Sequence, residues 1–289
     1  MNDGKRDRKN SGMVGVIKGA WAILISAAVL ALPGCLAGMN RDSAADGSTV
    51  ATVAADSPWA DPSYRKDIPA TIAEGRPVST GWPLWMKHHE SRKKWVAERK
   101  VDLLMVGDSI VFRWSRTGHK VWDEYYVKRN GCNIGSSGDR TQHMLWHLQN
   151  GGLDGLKGKN PRLVLLMIGT NNRGKPENHG SDTAYGILAL LKEIHHQLPD
   201  SKILLMAIFP RGDTPTNPGR MRNNEINEII RTYADNKVVY WLDISNAFLD
   251  EDGNVDRELM KDGLHPSEKG FRAWAEAMEP TIKKLMGEE

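Results

Sequence analysis

Four short segments collect polar residues with little packing purpose: Gly107-Asp108-Ser109, Asn133 to Asp139, Gly169-Thr170-Asn171-Asn172, and Asp262-Gly263-Leu264-His265. A serine attacks an acyl carbon only when a base stands within hydrogen-bond reach and a third group orients that base. Ser109 is the candidate nucleophile, His265 the candidate base and Asp262 its orienter, because a three-residue offset in a turn can join a carboxylate to an imidazole. The tetrahedral oxyanion then needs donors placed in advance. The backbone N–H of Ser109, the backbone N–H of Gly135 and the side-chain amide of Asn171 are the candidates, an amide being a donor that does not titrate. Each has a plainer reading. Ser109 could cap a helix, Asn171 and Asn172 could be turn residues, and Asp262 could cap the last helix, although Ser267 is better placed for that. Pro266 keeps His265 outside that helix.

The elements that must carry these segments follow from periodicity. Val101–Val106, Leu163–Ile168 and Ile203–Ile208 are short apolar runs, as expected of parallel strands covered on both faces, with shorter strands at Cys132–Ile134 and Val238–Leu242. Helical patterns cover 87–98, 118–128, 139–149, 183–198, 221–234 and 267–286. Strands alternating with helices predict an α/β domain of roughly 200 residues, a parallel sheet with helices on both faces. Ligands bind such sheets at the carboxyl ends of the strands, where all four segments fall.

GDS, an N-x-G block, GTNN and D-x-x-H in this order resemble the SGNH or GDSL hydrolases, and within them the pattern is similar to the intracellular-type platelet-activating factor acetylhydrolases. Gly138-Asp139-Arg140-Thr141 and Trp146-His147-Leu148 fit that pattern, while Ser136-Ser137 depart from it. The resemblance runs from about Val101 to about Trp274. It implies a three-layer α/β/α sandwich with a five-stranded parallel sheet in flavodoxin-like order. It implies Ser109 as nucleophile, His265 as base, Asp262 as third triad member, and Gly135 and Asn171 with the Ser109 backbone as oxyanion hole. It also implies catalysis without a metal or organic cofactor, on esters of small acyl groups carried by lipids or sugars. The alternative from another class is an envelope glycan-binding protein that keeps the fold without catalysis. Trp114, Trp122 and Trp146 are candidates for a substrate pocket that the motifs do not place.

The 289 residues carry 39 Lys and Arg against 36 Asp and Glu. Five of those basic and two of those acidic residues fall within residues 1–34, so the remainder has no net charge, which excludes the basic domain of a nucleic-acid binder. A basic start, the uncharged run Gly19 to Asn40 and Leu32-Pro33-Gly34-Cys35 together read as an export signal of the lipoprotein type over 1–34, with Cys35 as lipidation site. A retained membrane helix and ordinary secretion are the alternatives; all three put the domain outside the cytoplasm, in the cell envelope. Residues 35–80, rich in Ala, Ser, Asp, Thr and Pro, read as a flexible tether, part of which could dock through Trp59 or Tyr64; 81–289 is the folded domain. Cys132 reads as a buried apolar residue. No metal site is expected: His88-His89 and His195-His196 lack credible ligand spacing and read as solvated surface, and 250–254 reads as a turn. Gly135-x-x-Gly138 before a helix would suit a nucleotide phosphate, but the fuller dinucleotide fingerprint is absent. Oligomeric state is not legible.

Overall fold

Five apolar segments become strands because each can bury both faces. They are β1 (Leu103–Gly107), β2 (Gly131–Asn133), β3 (Leu163–Met167), β4 (Lys202–Met206) and β5 (Val239–Leu242). All pair in parallel, in the order β2-β1-β3-β4-β5. This is the flavodoxin-like order that the motif pattern implies. The computed structural model describes residues 64–77, 81–173 and 180–288. The leader over 1–34, Cys35 and Trp59 lie outside the described residues. Among those described, no helix is long and apolar enough to cross a membrane.

Side-chain alternation along the strands divides the core in two. Leu104, Val106, Val164, Leu166, Ile203 and Leu205 face one cluster, with residues of α1 (Trp82–Ala97), α4 (Thr141–His147), α5 (Gly180–Gln197) and α6 (Pro218–Ile230). Leu103, Met105, Leu163, Leu165, Met167 and Leu204 face the other, with α2 (Ser109–Phe112), α3 (His119–Tyr125) and α7 (Glu268–Met286). Helix, sheet and helix thus form three layers. Cys132 is a buried free thiol in the first cluster, and burial pushes its pKa up to about 12, which leaves it without nucleophilic character at neutral pH.

Several boundaries differ from expectation for local reasons. The first helix starts at Trp82 rather than 87, since Pro83 is tolerated in a first turn. The helix expected over 118–128 is α3 followed by a 3-10 turn, Val127–Arg129, which ends at Asn130 with φ of 47°. α6 starts at Pro218 because the Asn217 side chain accepts from Gly219 N and Arg220 N. Ser267 caps α7 as expected, accepting from Gly270 N. Residues 250–254 form the expected turn, with Gly253 N donating to Asp250 O.

The last described part of the stretch expected as a flexible tether over 35–80 docks on the domain, with Tyr64, one of the two residues expected to dock, packed against the first core cluster. Residues 64–77 run along the domain, with Ile68, Ala70 and Thr71 buried. Thr141 Oγ1 donates to Ala70 O at 3.0 Å, and Glu74 N to Gln142 O at 3.2 Å. A polar, non-periodic stretch carries no signal that a neighbouring helix start will donate to its carbonyls.

Candidate active site

The register of the sheet assembles the site. β1 ends at Gly107, where a side chain would collide with Met167 O and Val111, so β3 and the start of α2 close on the strand end. The ladder between β1 and β2 continues past the strands through Ile134 N to Met105 O and Ser136 N to Gly107 O, both 2.9 Å. Gly135 is thereby laid against the backbone of Val111 and Phe112, again too close for a Cβ. Backbone geometry thus brings the first two polar segments together.

Asp108, not Ser109, caps α2: its carboxylate accepts from Ile110 N at 2.9 Å. The plainer reading of Ser109 as a cap is thus taken by its neighbour. Ser109 Oγ lies 3.0 Å from His265 Nε2. His265 Nδ1 lies 2.7 Å from Asp262 Oδ2, and Asp262 Oδ1 accepts from Leu264 N at 3.0 Å and His265 N at 2.7 Å. Burial alone would raise the Asp262 pKa, but the His265 ring and these backbone donors hold it below the usual carboxylate range. The loop is tied to its surroundings by Gly212 N to Gly263 O, 2.8 Å, and by Ser267 Oγ to Glu258 O, 2.7 Å. Such an arrangement can pass a proton from a hydroxyl to an imidazole whose other nitrogen is fixed by a carboxylate.

The three expected oxyanion donors have different commitments in the structure. Ser109 N–H heads α2, where helix geometry leaves donors without intrahelical acceptors. Asn171 Nδ2 donates one hydrogen to Asp139 O at 3.0 Å, leaving the second. Gly135 N–H already donates to Asn133 Oδ1 at 2.8 Å. Asn133, the first residue of the N-x-G block, stands two residues before Gly135 in an Asx-turn pattern. Its Nδ2 also donates to Val111 O and Ser115 Oγ, so this side chain straps the second segment to the first. Asn172 supports its neighbour: Oδ1 accepts from Thr141 N, and Nδ2 donates to Thr141 Oγ1 at 2.7 Å. Arg211 Nη1 donates to both Thr170 O and Thr170 Oγ1.

Around Asp139, at the end of the second segment, lies a polar cluster whose other members come from distant parts of the chain. Asp139 is fully buried; its Oδ1 accepts from Trp85 Nε1 at 2.9 Å and pairs with Arg76 Nη2 at 2.8 Å. His147 Nε2 lies 3.1 Å from Asp139 Oδ2, off the hydrogen-bond axis. Burial opposes ionisation of Asp139, but His147 and Arg76 prevail and hold its pKa below the usual range. His147 Nδ1 and His89 Nδ1 share a proton at 2.8 Å, and burial with the His147 neighbour pushes the His89 pKa down to about 4. His89 is therefore not solvated surface as its sequence suggested: helical phase turns it inward while His88 stays half-exposed. Trp114 does not line a pocket either; it is fully buried in the core against Phe271 and Trp274. Trp146 packs on Trp82, Trp85 and His89. Among the described residues no group of His, Cys, Asp and Glu could hold a metal ion.

Burial pushes the Asp108 carboxyl up to about 7, with Ile110 N–H opposing and the charge on Asp139 adding. A folded pKa above the unfolded value of about 3.9 means the native state keeps a proton the unfolded chain releases. This contribution to stability is full below about pH 4 and is lost as pH rises towards about 7. Asp108→Asn keeps the acceptor for Ile110 N and removes the titration. Its Tm plotted against pH is expected to run flatter than wild type between about 4 and 7; an unchanged slope in thermal denaturation contradicts the assignment.

Comparison with known proteins accords with the geometry. The GDSL-like Lipase/Acylhydrolase family matches residues 105–273. The rat platelet-activating factor acetylhydrolase IB subunit alpha2 is 31% identical over 221 residues, covering 76% of this chain and 93% of that protein. The human subunit alpha1 is 28% identical, covering 71% of this chain and 85% of that protein. Among solved structures, a GDSL-like lipase from Bacteroides thetaiotaomicron superposes with a TM-score of 0.56 at 18% identity, covering 68% of this chain and 97% of its own. A lipolytic G-D-S-L protein from Veillonella parvula gives 0.52 at 20%, covering 63% and 97%. On its ordered motifs and these matches, the chain belongs to the GDSL-like lipase/acylhydrolase family.

Proposed function

We propose that the protein is a serine esterase that hydrolyses short-chain acyl esters, acetyl above all, of a carbohydrate or lipid. The observation that carries this reading is the run Ser109 Oγ, His265 Nε2, His265 Nδ1, Asp262 Oδ2 at 3.0 and 2.7 Å. His265 Nε2 takes the Ser109 proton as Oγ attacks the ester carbonyl carbon, then gives it to the leaving alcohol oxygen. Water, deprotonated by the same nitrogen, releases the acid from the acyl-serine. The oxyanion is held by Ser109 N–H and the second Asn171 amide hydrogen, with Gly135 N–H sharing its proton between Asn133 Oδ1 and the substrate oxygen. Relatives named acetylhydrolases support a small acyl group and favour an enzyme over a binding module. The leader pattern over 1–34 supports a place in the cell envelope, tethered through Cys35 or a retained helix.

The test is steady-state turnover of 4-nitrophenyl esters from acetate to dodecanoate. Acetate turnover that falls steeply beyond butyrate is the expected result. A preference for dodecanoate overturns the short-chain reading, and no turnover of any ester by folded protein overturns the esterase reading. Acetate release from acetylated xylan against an acetylated phospholipid then separates the two carriers.

Asn171→Ala tests the oxyanion assignment. Removing one donor lowers kcat by about 10²- to 10³-fold while KM stays nearly constant, because the bond strengthens only as charge develops. Full turnover in this variant removes Asn171 from the donor set.

A further inference from the structure

The arm at 64–77 reaches the back of the oxyanion site through the Arg76 side chain. Arg76 Nη2 pairs with Asp139 Oδ1 at 2.8 Å and also donates to Ser137 O. Asp139 N donates to Ser136 O at 3.1 Å, and Asp139 O is the acceptor that anchors the Asn171 amide. The peptide that follows Gly135 is thus gripped at Ser137 O and at the buried Asp139 carboxylate by Arg76, with Trp85 Nε1 of α1 holding the same carboxylate oxygen.

We propose that Arg76 and Asp139 are positioning residues for Asn171, so that the arm before the family's matched region is part of the active site. This rests on the esterase reading above. A side-chain amide with one hydrogen bound to a fixed carbonyl has a fixed rotation, and its second hydrogen is aimed. Without Arg76, the buried Asp139 carboxylate loses its guanidinium partner and Ser137 O loses its donor. The Asp139 carbonyl then shifts, and the Asn171 amide is no longer held at one angle. The cost falls on the transition state rather than on substrate binding.

The experiment is a double-mutant cycle on the full chain. Arg76→Gln lowers kcat by about 10- to 100-fold with KM nearly unchanged, the cost of misplacing a donor by a fraction of an ångström to an ångström. Arg76→Lys, which keeps a charge beside Asp139, recovers part of that loss. In an Asn171→Ala background Arg76→Gln costs almost nothing further, because the group it acts through is gone. Losses that multiply overturn the proposal, since a general structural defect acts independently of Asn171. If Arg76→Gln does not fold, Trp85→Phe removes the other donor to the same oxygen, and the same non-additivity is required.

A readout independent of turnover is the Asn171 side-chain amide resonance, identified by its loss in Asn171→Ala. Arg76→Gln shifts it and speeds its hydrogen exchange; an unmoved resonance overturns the proposal. Wild-type protein that hydrolyses no ester defeats the esterase reading, while the amide resonance still decides whether Arg76 holds Asn171.

Discussion

Ser109→Ala is expected to lower kcat on 4-nitrophenyl acetate by about 10⁴-fold or more, leaving only the residual catalysis of donors and binding. The side chain is nearly buried and its Oγ faces His265 Nε2, so alanine removes the attacking oxygen and little else. The cap of α2 survives because Asp108 provides it. The fold loses one hydrogen bond, worth about 1 kcal/mol, and a melting curve close to wild type separates lost chemistry from lost structure. Turnover above about one per cent of wild type, in protein free of contaminating esterase, contradicts the nucleophile assignment.

Asp262→Asn is expected to lower kcat by about 10³- to 10⁴-fold, through the tautomer of His265. Asp262 Oδ1 accepts two backbone N–H groups, from Leu264 and His265, so an asparagine places its carbonyl oxygen there and turns its amide towards His265 Nδ1. An amide N–H can only donate, which forces Nδ1 to accept and puts the ring proton on Nε2. That nitrogen faces Ser109 Oγ and can no longer take its proton. Asp262 is half-exposed, so water competes for the site, which is why the range extends down to about 10³. Because His265 and the backbone donors keep the Asp262 pKa low, the carboxylate stays ionised in mild acid. Asp262→Asn therefore lowers the plateau of the rate profile without restoring activity at any pH. A variant with a full plateau contradicts the orienting role.

The two glycines show why the chemistry was legible before the fold was seen. Gly107 and Gly135 stand where backbone meets backbone, and the polar residues beside them contribute no apolar packing. Strand runs such as Leu163–Met167 are buried on both faces, so their composition alone marks them, and parallel pairing then brings every polar strand end to one edge. Local periodicity and ordered motifs thus determined the layers, the strand order through family resemblance, and which serine, histidine, aspartate and asparagine to bring together.

Contacts that join distant, unpatterned residues were not legible. Arg76 stands in a stretch without periodicity, 63 residues before its carboxylate partner, and nothing near it announces Asp139. His89 and His147, 58 positions apart, become a buried pair only when α1 packs against α4. Trp114 reads as a pocket wall until Phe271 and Trp274 close over it. Whether Asp108 or Ser109 caps α2 depends on a side-chain rotation that adjacent sequence leaves open, and the packing of His265 against Ser109 settles it. Each of these depends on how packed layers orient side chains. Sequence spacing carries the period of one element, whereas the angle at which two elements meet is set by the whole interface between them.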